Sequence, residues 1–301
     1  MPDILKAKLI CVRIKQKTAF MRATIYKEDF FMNFFEKIVY ALSATMERPT
    51  IFGTWHFVSL ALAIALTAFM IWKFKDCSDK TLRRILFAFW IVIVILEVYK
   101  QIVFSMHSDG VTAEWSYQWY AFPFQFCSTP IYLLPILVFA KDCKFRNAVM
   151  AYMVTFSLFA GLVVMIYPGD VFIEIIGINI QTMVHHGLQL VIGVFLAAHN
   201  RHHLNKRFFA WAMTAFVVLC AVALGLNTVM HYAKPDVGFN MFYISPFQNC
   251  TLPVLSEVYA KTPYPVFLIV YVLGFTLVAT IVYTIEKVAA KICTKIKHIN
   301  D

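Results

Sequence analysis

Charge is what this sequence has least of. Asp, Glu, Lys and Arg make up 15% of its 301 residues against 60% apolar, and the mean hydropathy is +0.69. A soluble domain is about a quarter charged and about half apolar. A chain of the present composition cannot cover its surface with polar groups in water, so its solvent is largely lipid. Strict alternation of apolar and polar residues is also missing, which argues against a β-barrel. Inside a bilayer the backbone must satisfy its own hydrogen bonds, and what remains is a helical bundle.

Other absences narrow the class further. The seven cysteines, at 11, 77, 127, 143, 220, 250 and 293, contain no CxxC pair. They spell out neither a disulfide framework nor a zinc site, and no cofactor or metal is expected. No apolar segment followed by a small-residue cleavage site marks a signal peptide. There is no internal repeat and no low-complexity linker. The net charge of +10 does not announce a nucleic-acid partner, because the basic residues stand in short connections beside apolar runs, where they set topology and meet anionic headgroups. Membrane lipids are the expected partners.

What is present is a series of apolar runs of about 20 residues, the length that crosses a bilayer as a helix. Seven can be placed, at 51–74, 85–104, 121–140, 145–167, 178–198, 208–232 and 266–285. The first connection carries Lys73, Lys75, Lys80, Arg83 and Arg84, the third Lys141, Lys144 and Arg146, and the fifth Arg201, Lys206 and Arg207. The tail adds Lys287, Lys291, Lys295 and Lys297, whereas the second and fourth connections have no Lys or Arg. The positive-inside rule then puts the odd connections and the tail in the cytoplasm. The expectation is an all-α polytopic membrane protein of the cell (plasma) membrane, a seven-transmembrane-helix bundle over 51–288 with a basic cytoplasmic tail at 289–301.

The first fifty residues oppose this topology, which places their nine Lys or Arg outside. Either residues 30–42 form an interfacial amphipathic helix with the basic arm tolerated outside, or translation starts at Met21 or Met32.

Polar residues within spans are costly and mark function by default. Depth along each helix, at about 1.5 Å per residue, puts His56, Glu97, Lys100, Gln125, Cys127, Ser128, Asn179, Thr182, His185, His186, Asn227 and His231 in the outer half, with almost nothing comparable in the inner half. A polar pocket facing outward is expected. Structural readings compete at each position: Glu97 and Lys100 can neutralise each other at i, i+3, Asn227 and His231 can tie helices together, and an isolated buried Cys is usually packing. His186 shares a helix face with Asn179, Thr182 and Gln189. Cys127 sits in Pro123-Phe-Gln-Phe-Cys-Ser-Thr-Pro130, where Pro130 removes a backbone donor and disturbs the turn. A thiol beside a base becomes a nucleophile.

Several stretches together resemble the YwaF-like (TP0381-type) integral membrane family. They are 123–135 around Cys127, Phe159-Ala-Gly161 with Tyr167-Pro168, His186-Gly187, and Asn227 followed by Tyr232-Ala-Lys-Pro235. The sequence departs from that family's pattern at Gln125 (usually His), Leu158 (Gly) and His231 (Asn). The resemblance implies seven spans and kinship with a vertebrate phospholipid acyltransferase that acts through a cysteine. Carried over, Cys127 would be the nucleophile and His186 its base. The leading expectation is therefore a lipid acyl-transfer enzyme. The alternative is a small-solute transporter or ligand-binding receptor using the same pocket. A third reading is a metal or haem site on His56, His185, His186 and His231.

Overall fold

A computed structural model describes residues 34, 37–108 and 113–300. The described residues are mostly helical. The main elements are α1 (Thr54–Phe74), α2 (Asp79–Ser105), α3 (Pro130–Phe139), α4 (Lys144–Ile166), α5 (Ile176–His199), α6 (Lys206–Ala233), a short α7 (Leu255–Lys261) and α8 (Tyr264–Asn300). A two-stranded ribbon, β1 (Met106–Ser108) and β2 (Ala113–Trp115), is antiparallel, with His107 opposite Glu114.

The described residues form two compact units. The smaller takes in those before Thr45 together with Ile102–Tyr117, the larger Thr45–Gln101 and Gln118–Asp301. In the smaller unit residues 37–42 are helical, with Ile38, Tyr40 and Leu42 exposed. The rest of the proposed 30–42 helix, Phe34 excepted, lies outside the described residues, as does the arm before it.

The seven expected spans resolve into six helices long and apolar enough to cross a membrane, α1, α2, α4, α5, α6 and α8, and one shorter apolar segment, Phe126–Phe139. The six agree with the expected runs to within a few residues at most ends. Two run on: α2 begins six residues early, at Asp79, and α8 continues unbroken to Asn300.

The third run is broken for a physical reason. It contains Pro123, Pro130 and Pro135, none of which has an N–H to donate. Two 3₁₀ turns, Trp119–Ala121 and Phe126–Ser128, precede a helix of only 10 residues, or about 15 Å of rise. The carbonyls that the prolines orphan are satisfied by side chains. Thr129 Oγ1 donates to Phe126 O at 3.0 Å, and Trp90 Nε1 donates to Ile131 O at 2.9 Å. At the far end Arg83 donates to Val138 O and Ala140 O, both at 2.7 Å.

Helix α5 is the hub. Most of its residues are buried, and it packs along α1 on one side and the C-terminal half of α4 on another. Close approach to α4 depends on two glycines. A Cβ on Gly161 would stand 2.7 Å from Gln189 Cβ and 2.8 Å from His186 O, and one on Gly193 would stand 2.5 Å from Leu158 Cβ. The N-terminal half of α4 packs instead on α6. Midway, α4 widens into a π turn, Met153–Ser157, whose residues are all buried. Such bulges gather at functional sites.

The sixth connection is not the exposed outer loop that its length suggests. Its stretch Phe239–Ile244 turns into the bundle, where Met241, Phe242 and Ile244 are fully buried. Phe242 and Tyr243 both have φ of 58°, a left-handed conformation costing of order 1–3 kcal/mol at non-glycine residues. Surrounding side chains hold it there. Asn227 brackets Met241, donating to its carbonyl at 3.0 Å and accepting from its N–H at 2.7 Å. Tyr271 donates to Phe242 O at 2.9 Å and Tyr264 to Ile244 O at 2.6 Å.

At the basic end, Asp79 at the start of α2 accepts from Arg83 at 2.6 Å and from Arg146 at 2.7 Å. Arg201 pairs with Asp76.

Candidate functional site

The site is built around the 3₁₀ turn Phe126–Ser128. Because Pro130 interrupts helical bonding above it, the Cys127 carbonyl is open to outside donors. Two arrive from one face of α5: His185 Nε2 at 3.0 Å and Gln189 Nε2 at 2.7 Å. Gln189 also reaches Ser157 Oγ at 3.3 Å, which joins the π turn of α4 to the same point.

A carbonyl can only accept, so His185 Nε2 carries the proton and the neutral ring offers Nδ1 as a lone pair. That Nδ1 is buried with no partner among the described residues, as are Glu97 Oε2, Gln101 Oε1 and Gln189 Oε1. Buried polar atoms are normally paired. Four unpartnered acceptors in one neighbourhood mark a site shaped for something with donors.

Helix α2 carries a charged pair and an amide that reaches the segment before Cys127. Lys100 Nζ pairs with Glu97 Oε1 at 2.9 Å, and Gln101 Nε2 donates to the same oxygen at 2.7 Å and to Ala121 O at 2.8 Å. Tyr99 packs where α5 has Gly177: a Cβ there would stand 1.9 Å from the Tyr99 hydroxyl.

His186 adjoins this group, its ring centroid 5.2 Å from that of His185. Its Nδ1 donates to Thr182 O of its own helix at 2.7 Å. Thr182 Oγ1 turns to Gln181 Oε1 at 3.3 Å.

The remaining expected pocket residues are engaged elsewhere. His56 accepts from Phe52 N at 3.0 Å and donates to Met165 O at 2.8 Å, so one ring nitrogen is spent on the turn before α1 and the other ties α1 to α4. Asn179 holds the backbone of Ile173 through both ends of its amide. Asn227 is committed to Met241, as described, and His231 stacks on Phe247 with ring centroids 3.7 Å apart. Gln125 donates to Asn240 O at 3.0 Å and accepts from Phe242 N at 3.1 Å. It thereby links the Cys127 turn to the strained stretch of the sixth connection. The four histidines of the metal reading do not come together, and among the described residues no three His, Cys, Asp or Glu are grouped to hold a metal ion.

The sequence reading touches Gln189 only in passing and singles out neither Gln101 nor Ser157. The i, i+4 spacing of His185 and Gln189 was a usable signal. Nothing local pointed to Ser157, which depends on a π turn.

The model of the TMEM164 family matches residues 51–284. The chain belongs to the TMEM164 family. The family region takes in every residue of the site, from His56 to His231, and excludes the basic first fifty. It makes this a multi-pass membrane protein, in accord with the six long apolar helices. No curated protein and no solved structure matches the chain.

Proposed function

We propose that this TMEM164-family protein is a membrane lipid acyl-transfer enzyme of the plasma membrane, with Cys127 as its nucleophile and the α5 histidines as its base. The observation that carries the reading is the convergence of His185 and Gln189 on the turn bearing Cys127, with His185 Nδ1 left as a free buried lone pair. We assign the base to His185 in preference to His186, whose Nδ1 is bonded within its own helix. His186 then packs against the His185 ring. The resemblance of the 123–135 segment to a cysteine-dependent acyltransferase lineage supports Cys127 as the nucleophile, while its carry-over would put the base at His186. In this reading the thiol attacks an acyl ester of a membrane lipid, and the acyl-enzyme passes its chain to a lipid hydroxyl or to water.

The test is chemical. Purified protein is incubated with vesicles of a phospholipid carrying an alkyne-tagged acyl chain, and hydroxylamine-sensitive label is sought on Cys127. Label lost in Cys127→Ser supports the reading. Label that survives that substitution, or none on the wild type, removes it.

One observation favours the alternative of a transporter. Glu97 keeps a free carboxylate oxygen in the bundle interior, as proton-coupled carriers do. Proton-coupled solute uptake that disappears in Glu97→Gln would favour that reading over acyl transfer.

A further inference from the structure

The acyl-transfer reading leaves one requirement unmet by the residues so far assigned. When a thiol adds to an ester, the carbonyl oxygen becomes an oxyanion, and donors held in place around it are the largest single source of rate in such reactions. Gln189 and His185 Nε2 are already spent on the Cys127 carbonyl, Gln125 on the sixth connection, and Asn227 on Met241.

Tyr243 is placed otherwise. Its hydroxyl makes no hydrogen bond among the described residues, and Tyr243 directly follows Phe242, whose N–H is held by Gln125, two residues before Cys127. The turn that presents it is strained at two consecutive bulky residues, each with φ of 58°. Strain of this kind persists only where surroundings over-determine it, and it gathers at functional sites. The surroundings here are specific. Gln125, two residues before Cys127, holds Phe242 N at 3.1 Å, Tyr271 holds Phe242 O at 2.9 Å, and the Phe126 ring packs on Phe242 at 5.5 Å between centroids. The turn carrying the thiol and the turn carrying the phenol are thus fixed to each other through Gln125 and Phe126. Burial raises the tyrosine's pKa above its ordinary value, which keeps its proton in place near neutral pH.

We propose that Tyr243 is a catalytic residue that donates its O–H to the oxyanion formed when Cys127 attacks a lipid acyl ester. This rests on the acyl-transfer reading above. The thiol proton passes to His185 Nδ1 as the sulfur–carbon bond forms and the C=O π pair moves onto oxygen. The Tyr243 hydroxyl hydrogen bonds to that oxygen without giving up its proton. On collapse the C=O reforms, the carbon–oxygen bond to the lipid breaks, and the departing alkoxide takes the proton from His185 and leaves as an alcohol. Strain in the turn sets the hydroxyl's position in advance, so no reorganisation is needed during the reaction.

The experiment compares full-length wild type, Tyr243→Phe and Cys127→Ser in vesicles containing the alkyne-tagged phospholipid. It follows acylation of Cys127, alkylation of Cys127 by iodoacetamide, and inhibition by a long-chain alkyl trifluoromethyl ketone, which forms a tetrahedral thiol adduct bearing an oxyanion. Tyr243→Phe is expected to slow acylation by about 10²–10³-fold and to weaken the ketone by a comparable factor, with iodoacetamide reactivity and thermal midpoint unchanged. Acylation within about twofold of wild type overturns the proposal. So does a parallel loss of iodoacetamide reactivity, which would mean that Tyr243 acts by shaping the thiol's surroundings. If wild type itself never acquires label on Cys127, the acyl-transfer reading falls first and this proposal with it, an outcome separate from failure of Tyr243→Phe alone.

Discussion

The indole of Trp90 donates a 2.9 Å hydrogen bond to the carbonyl of Ile131, the acceptor that Pro135 leaves without a helical donor four residues on. A residue of α2 therefore repairs a defect in α3. Trp90→Phe is expected to leave Ile131 O unsatisfied and to lower stability by about 1–3 kcal/mol. Pro135→Ala restores an N–H at the right position, so Trp90→Phe should cost much less in that background. Thermal midpoints of the four proteins in one detergent form the double-mutant cycle. Additive losses would mean that the indole contributes only its bulk.

This pair also marks how far the sequence could be read. Runs such as 178–198 and 208–232 were legible because lipid demands about 20 apolar residues and because Lys and Arg punctuate them. The third span was less so. Its prolines announce missing donors, but the indole that answers Pro135, Trp90, lies 41 residues away in sequence, and Arg83, which closes the helix end, lies 55 to 57 away. The inward fold of 239–244 was invisible for the same reason, since the side chains that satisfy it, Gln125, Asn227, Tyr264 and Tyr271, are scattered along the chain. In the site, Glu97, Lys100, Gln125, Cys127 and His185 could be named from the sequence as candidates. Which of them touch was not legible: that depends on rotation about each helix axis and on a π turn that no local pattern announces. Rotation separates His185, which reaches Cys127, from His186, which bonds its own helix.

The two histidines are expected to differ in function accordingly. Positioned proton transfer is worth about 10²–10⁴-fold in rate, so His185→Ala should reduce Cys127 acylation within that range. His186→Ala should fall well short of that range, because it removes only a neighbour of the His185 ring. Acylation kinetics on the tagged lipid discriminate. The reverse ranking would return the base to His186.

Gly161 is the residue that allows α4 to lie against the site face of α5. A methyl group there would meet Gln189 Cβ at 2.7 Å, His186 O at 2.8 Å and Leu190 N at 3.0 Å, two of them backbone atoms. Gly161→Ala is expected to lower stability by about 1–3 kcal/mol through overpacking, and to reduce activity because Gln189 must shift. At Gly225 a methyl group would meet nothing within 4 Å, so Gly225→Ala should be neutral or slightly stabilising. A thermal midpoint for Gly161→Ala equal to that of Gly225→Ala would contradict the close approach.

The Glu97–Lys100 pair is buried on both sides, at 7% and 16% side-chain exposure. Removing one partner of such a pair strands the other charge, typically at a cost of about 3–5 kcal/mol, whereas replacing both is often far milder. Glu97→Gln should therefore destabilise strongly, and Glu97→Gln with Lys100→Met should recover much of the loss. Unfolding measured in one detergent at constant ionic strength provides the comparison. A double variant no more stable than Glu97→Gln would mean that Lys100 is not stranded when its partner is neutralised.

The direction of the bundle rests on its basic connections and can be tested with two native cysteines. Cys143 is exposed in the connection between α3 and α4, and Cys77 is half-buried between α1 and α2. Both lie beside the Lys and Arg clusters, so a membrane-impermeant maleimide applied to intact cells should label neither, and permeabilisation should expose both. Their rates should then differ. Burial, with Asp76 and Asp79 adding to it, pushes the Cys77 thiol above its ordinary pKa, and the thiolate is the reactive form. Cys77 should lag behind Cys143 near pH 7 and gain steadily as the pH rises towards its elevated pKa. Labelling of Cys143 in intact cells would invert the bundle and turn the Cys127 site towards the cytoplasm.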